Sequence, residues 1–183
     1  SEMCIRDRRM ASEGAEVVRV DGDYAASVEA CKRDAAAGGW EVIQDVSWEG
    51  YEHIPRLIWQ GYTVVASEAL QQLAAPPTHV FVNAGVGGFA AAMSGHLWEA
   101  LGAQRPRFVS VEPMAAACLL HNAGSMPTDE LRAVTTTSTL QTGLACGEVA
   151  PLAWQVLATG VSDFMAVDDE CVAPTMRLLA DQN

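Results

Sequence analysis

Lysine is nearly missing from this chain. Lys32 is the one lysine among 183 residues, and it stands in a polar stretch far from the glycine cluster at 85–88. Chemistry that needs a lysine amine beside a bound ligand therefore has a single, badly placed candidate here. Basic residues of both kinds are scarce: 11 Lys and Arg oppose 23 Asp and Glu, for a net charge of -12. No basic face exists for phosphodiester backbones or anionic lipid, so neither nucleic acid nor a membrane surface is expected as a partner. Cys4, Cys31, Cys118, Cys146 and Cys171 are scattered, with no C-x-x-C pair. Such an odd, dispersed set favours reduced thiols and a cytoplasmic setting. His53, His79, His96 and His121 lack ligand spacing, which leaves no metal site to expect. No apolar run reaches the roughly 20 residues that a membrane-spanning helix requires.

What is present is an ordinary globular composition, 50% hydrophobic and 19% charged. The length fits one domain, or one domain with part of another. Short β-like runs alternate with helical ones. Glu16-Val17-Val18-Arg19-Val20 reads as a strand, and Asp23 is placed to cap a helix from Tyr24 to Ala37. Glu41-Val42-Ile43-Gln44-Asp45 reads as a second strand, and Ile54 to Leu73 as a long helix with Pro55 in its first turn. Strands follow at 79–83, 107–112 and 163–167, with helices ending near Leu101, running from Pro113 to His121, over 151–157 and over 169–180. This alternation predicts a three-layer α/β fold on a mainly parallel sheet. Ligands of such sheets gather at the carboxyl ends of the strands, which puts Asp45, a glycine turn and Glu112 on one rim.

Three motifs carry candidate chemistry. The strand Val80-Phe81-Val82-Asn83 runs into Gly85-Val86-Gly87-Gly88-Phe89, after which an alanine-rich helical pattern begins. A glycine turn opening a helix suits a phosphate, because bare backbone N–H groups and the helix N-terminus converge on the anion. Gly85-x-Gly87-x-x-Ala90, with Glu112 ending the next strand, also has the form of a dinucleotide fingerprint, and a tight structural turn satisfies the same pattern. Asp45 stands at a strand end beside Trp48 and Tyr51, where desolvation suits a proton carrier and where simple capping is the plainer alternative. Cys146, in Thr142-Gly143-Leu144-Ala145-Cys146-Gly147-Glu148, invites a nucleophile reading without a nearby histidine. A loop packed on a ligand, or a purely structural loop, explains it better.

Taken together, Gln44-Asp45, Ser47-Trp48-Glu49-Gly50-Tyr51, Ile54-Pro55, Gln60-Gly61-Tyr62-Thr63, Ala66 and Glu68-Ala69 resemble the diaminopropionate ammonia-lyases. The likeness continues through Thr78-His79-Val80, Ala84 to Gly87, Val111-Glu112-Pro113 and Gly143 to Glu148, in family order from about Gly14 to Leu179. These are fold-type-II pyridoxal-phosphate enzymes of the tryptophan synthase β-like group. The resemblance implies that Gly85, Val86, Gly87, Gly88 and Phe89 hold the phosphate of pyridoxal 5'-phosphate. It also implies that Asp45 is an active-site carboxylate near the substrate Cα. The activity implied is α,β-elimination of 2,3-diaminopropionate to pyruvate and ammonia, by a cytoplasmic homodimer acting on a small amino acid. Some relatives hold a cation where Glu112 lies, but Met114 to Cys118 lack the second carboxylate and no metal is expected.

The departures from the family are as informative. Its Schiff-base lysine and a second aspartate have no match, so the chain reads as a fragment expected to be inactive alone. Residues 10–40 are expected to be a remnant of a smaller domain, and 41–183 part of the larger cofactor-binding one. Residues 1–9 match nothing in the family and are read as an artefact joined to a truncated frame. Two alternatives share the glycine turn: another fold-type-II enzyme of the threonine dehydratase or cysteine synthase type, and an NAD-dependent oxidoreductase domain with Glu112 on the ribose.

Overall fold

The computed structural model describes residues 5–22, 24–124 and 130–182. They form two compact units, Ser1–Val42 and Ile43–Asn183. The expected cap at Asp23 lies outside the described residues.

The first unit holds helices α1 (Ile5–Ser12) and α2 (Tyr24–Gly38). Helix α1 forms where the sequence shows no periodicity; it buries no residue and is tied by the Arg19–Asp7 ion pair at 2.6 Å. Residues 16–20, expected as a strand, are extended without ladder partners, with Val18 65% exposed. The expected strand at 41–45 is likewise absent, and Ile43 lies 67% exposed. Both stretches have β-favouring side chains, but a strand exists only where a neighbour takes its backbone N–H and C=O groups.

The second unit is built on a parallel sheet of β1 (His79–Asn83), β2 (Arg107–Pro113) and β3 (Asp163–Val167), in that spatial order. Val80 pairs with Phe108, Val82 with Ser110, and Glu112 with Ala166, so even-numbered residues share one face through β1 and β2. That face carries the core. Val82 and Phe108 pack with α4 (Gly88–Leu101), α3 (His53–Gln72) and α6 (Pro151–Gly160). Helix α4 lies between the other two and is made for it. Ala90, Ala91 and Ala92 let neighbouring backbones approach closely, while Met93 and Leu97 fill the gaps. Val109 is buried on the opposite face, but Phe81 (63%) beside it and Met165 (42%) beside Val111 are open to solvent.

Two expected helices are shorter than the pattern predicts. After Pro113 a 3-10 turn spans Met114–Ala116, and α5 starts only at Cys118 and ends at Ala123. Ala117, at φ -86 and ψ 64, interrupts the helix, and the Glu112 carboxylate takes the N–H groups of Leu119 and Leu120 at 2.8 Å each. At the C-terminal end a 3-10 turn over Asp169–Cys171 precedes α7 (Val172–Ala180). There Asp169 turns away from α7 and accepts from the Thr139 hydroxyl at 2.6 Å and Leu140 N–H at 2.7 Å. These donors hold its carboxyl below the ordinary aspartate value.

Candidate functional site

The glycine turn sits where β1 hands the chain to α4. Ala84 N–H still bonds to Val111 O at 2.9 Å, so the turn is anchored to the sheet up to its first glycine. Gly87 then adopts φ 101, a left-handed conformation that strains any residue with a Cβ. A Cβ on Gly87 would also meet Leu157 Cδ1 at 2.8 Å, and one on Gly88 would meet Trp59 Nε1 at 2.7 Å. Gly85 lies against Cys146, where an added Cβ would stand 3.1 Å from Sγ. The backbone is thus pressed against three side chains. No side chain caps α4 and its first turn carries no acid, so the N-terminal amides keep their attraction for an anion.

Asp45 reaches this turn by another route. It is half-buried in an irregular segment and is held from α3 rather than by a sheet. Trp59 Nε1 donates to the Asp45 backbone oxygen at 2.8 Å, and the Tyr62 hydroxyl donates to Asp45 Oδ2 at 2.9 Å. The same two residues touch the turn. The Trp59 indole lies on Gly88, and the Tyr62 ring meets Phe89 edge-on with centroids 5.7 Å apart. Burial, then the bond to Asp45 and its charge, push the Tyr62 phenol up to about 12. Trp48 and Tyr51, the aromatics expected to enclose Asp45, instead stack on each other at 4.1 Å, and the Tyr51 hydroxyl lies 3.0 Å from Gln44 N.

Cys146 closes the far side. Val86 N–H points at its sulfur, and burial raises the thiol above its ordinary value. A reactive cysteine needs the opposite shift, so a nucleophilic role has no support. Neighbouring Cys118 is fully buried, with its thiol pushed well up by burial and by Glu112. Glu112 is itself 0% exposed and points both oxygens at the start of α5. It cannot reach a ribose, and the dinucleotide alternative loses its acid. Among the described residues no cluster of three or more His, Cys, Asp or Glu could hold a metal ion.

A sheet-anchored glycine turn at a bare helix N-terminus, facing a fixed carboxylate, matches a known family. The model for "Pyridoxal-phosphate dependent enzyme" matches residues 5–183. The chain belongs to this family. Diaminopropionate ammonia-lyase of Escherichia coli K12 is 36% identical over 171 residues, covering 92% of this chain and 42% of the relative. The Salmonella typhimurium enzyme of the same name is 38% identical over 181 residues, 96% of this chain and 45% of the relative. The chain therefore spans less than half the length of these relatives. The E. coli lyase solved with an aminoacrylate-PLP azomethine reaction intermediate superposes with a TM-score of 0.84 at 34% identity, over 95% of this chain and 44% of that one. Maize serine racemase, at 19% identity and a TM-score of 0.77 over 94% of this chain and 50% of its own, shows the same fold.

The residues present fit the family's cofactor. Pyridoxal phosphate offers a phosphate, and the turn offers uncapped amides, no opposing acid and a backbone with no room for a Cβ at 87 or 88 and little at 85. The structure brings Asp45 beside the turn of Gly85 to Phe89 through Trp59 and Tyr62, while Glu112 faces α5 instead. Sequence reasoning did not assign Trp59 and Tyr62 to the site. Their spacing of three, with Ala66 four further on, marks the inward face of α3 and was the available signal. Lys32 lies in the other unit, on α2, and pairs with Glu29 at 2.7 Å.

Proposed function

We propose that this chain is part of a pyridoxal-phosphate dependent ammonia-lyase that eliminates ammonia from 2,3-diaminopropionate, leading to pyruvate. The observation that carries the reading is the pairing of an anion-fitting glycine turn with a carboxylate fixed beside it. The substrate follows from the named relatives, which agree with this chain over nearly its whole length.

In this reading the amides of Gly85 to Phe89 bind the cofactor phosphate and α4 adds its N-terminal charge. When bound, pyridoxal phosphate supplies an electron sink for charge developing at the substrate Cα. Asp45 moves a proton at that carbon or at the leaving β-amino group. The Cα proton leaves, its electron pair becomes the Cα–Cβ double bond, and the β-amino group departs with a proton as ammonia. Addition of water to the remaining fragment yields pyruvate and the second ammonia. Trp59 lies in the apolar core beside the turn, and Phe89 packs against that core.

We further assign residues 41–183 to the larger cofactor-binding domain and 10–40 to part of a smaller one. The division of the structure at Val42 and Ile43 supports this boundary. A cytoplasmic homodimer is the assembly that the resemblance supports. Among the described residues no helix is long and apolar enough to cross a membrane.

The test uses a completed holoenzyme, in which residues 5–183 replace the matched segment of the E. coli lyase. It should form pyruvate from diaminopropionate. Asp45→Asn should lower kcat by about 100-fold or more while cofactor content stays near one per chain. Full turnover in that variant would return Asp45 to a capping role, and pyruvate formation absent from the parent chimera would remove the substrate assignment.

A further inference from the structure

Asp45 has a problem that the glycine turn does not. It sits in a segment without helix or ladder bonds, so its backbone and its carboxylate are both free to wander unless side chains hold them. Helix α3 meets the need twice within one turn. Trp59 fixes the backbone oxygen at 2.8 Å, and the Tyr62 hydroxyl fixes Oδ2 at 2.9 Å. The Tyr62 ring is itself braced by Phe89, one residue into α4. A phenol donating to a carboxylate is a charge-assisted bond, shorter and stronger than a neutral one.

We infer that Tyr62 is a positioning residue for Asp45: its hydroxyl holds Oδ2, locks the carboxylate in one rotamer beside the glycine turn, and leaves Oδ1 as the proton-transferring oxygen. The inference rests on the assignment of Asp45 as the proton carrier. Tyr62 reaches the reaction through Asp45 and does not carry the proton itself. Its phenol, raised to about 12, stays protonated at neutral pH and serves only as a donor.

A merely structural tyrosine and a positioning one differ in what they multiply with. In the completed holoenzyme Tyr62→Phe keeps the ring against Phe89 and deletes only the hydroxyl. It should lower kcat by about ten-fold or more, with KM and cofactor content unchanged. Placed on Asp45→Asn it should add nothing further, because the group it positions is already gone. Undiminished kcat in Tyr62→Phe, or full multiplication of the two losses, overturns the inference while leaving Asp45 as proton carrier. Full activity in Asp45→Asn alone overturns the reading beneath it, a separate outcome. A second measurement needs no activity. In the 183-residue chain with 13C-labelled tyrosine rings, Tyr62 should ionise well above the ordinary phenol range, and Asp45→Asn should bring it down. A Tyr62 resonance that ignores Asp45→Asn shows that the bond is not made and overturns the inference directly.

Discussion

The glycine turn and the Asp45 segment lie side by side, yet different parts of the molecule hold them. The turn is suspended between β1 and α4, so hydrogen bonds of regular structure fix its position on both sides. The Asp45 segment has neither; two side chains of α3 hold Asp45 itself, and the Tyr51 hydroxyl bonds to the backbone of Gln44 next to it. The turn is therefore insensitive to the identity of most surrounding side chains and intolerant of any Cβ on its own backbone. The Asp45 segment is the reverse: its own backbone is permissive, and its position depends on Trp59 and Tyr62. In the proposed reading, a rigid anion seat and a separately held proton carrier would allow one fold to keep its cofactor while the acid–base partner changes.

The largest expected effect breaks the turn. Gly87→Asp places a side chain in a left-handed position, drives its Cβ toward Leu157 Cδ1 at 2.8 Å, and sets a carboxylate at the helix N-terminus proposed to take the phosphate. Cofactor binding by the completed holoenzyme should be lost altogether, as read by the absorbance of the bound pyridoxal group. Asp45→Asn should leave that absorbance in place. Cofactor retained in Gly87→Asp would show that the phosphate binds elsewhere.

A smaller effect sharpens the contrast, because Trp59, like Tyr62, touches both regions. Trp59→Phe removes the indole N–H from the Asp45 oxygen and empties part of the space against Gly88. An unpaired carbonyl and a partial cavity each cost about 1–3 kcal/mol. The melting temperature should fall by several degrees, since 1 kcal/mol is about 2–4 °C at this size. Cofactor affinity and turnover should both decline, unlike in Asp45→Asn, where only turnover does. A Trp59→Phe protein that lost turnover alone would mean that the turn does not lean on the indole.

The same contrast governs how much of the molecule was legible in the sequence. The turn was readable because everything that makes it is local: β-branched residues, then glycines, then alanines, all within Val80 to Ala92. The strands at 79–83 and 163–167 fall at their expected bounds for the same reason, each flanked by clear breaks. The expected strands at 16–20 and 41–45 failed because pairing is a property of two segments, and Val17, Val18 and Val20 report only one. The aromatic partners of Asp45 were misassigned for a related reason. Trp48 and Tyr51 are near in sequence, whereas Trp59 and Tyr62 are brought near by the direction in which α3 packs. Glu112 was placed correctly at its strand end, but its burial against α5 depends on a break at Ala117 that no residue type announces.

The smallest expected effect concerns Lys32, whose importance lies in being the one lysine. A covalent link to the cofactor aldehyde needs an uncharged amine held at the reacting carbon. Lys32 is on α2, in the unit that does not contain the turn, and its ammonium is paired with Glu29 at 2.7 Å on a partly exposed helix face. An exposed pair at this spacing stabilises a helix by only about 0.3–0.5 kcal/mol. Lys32→Arg should therefore leave folding within about 0.5 kcal/mol and cofactor content of the completed holoenzyme unchanged. Correspondingly, the 183-residue chain mixed with pyridoxal phosphate should show no stoichiometric label at Lys32 after borohydride reduction and peptide mapping, and should form no pyruvate. A single label at Lys32 accompanied by turnover would place α2 against the glycine turn and would move the covalent anchor of the cofactor into this segment.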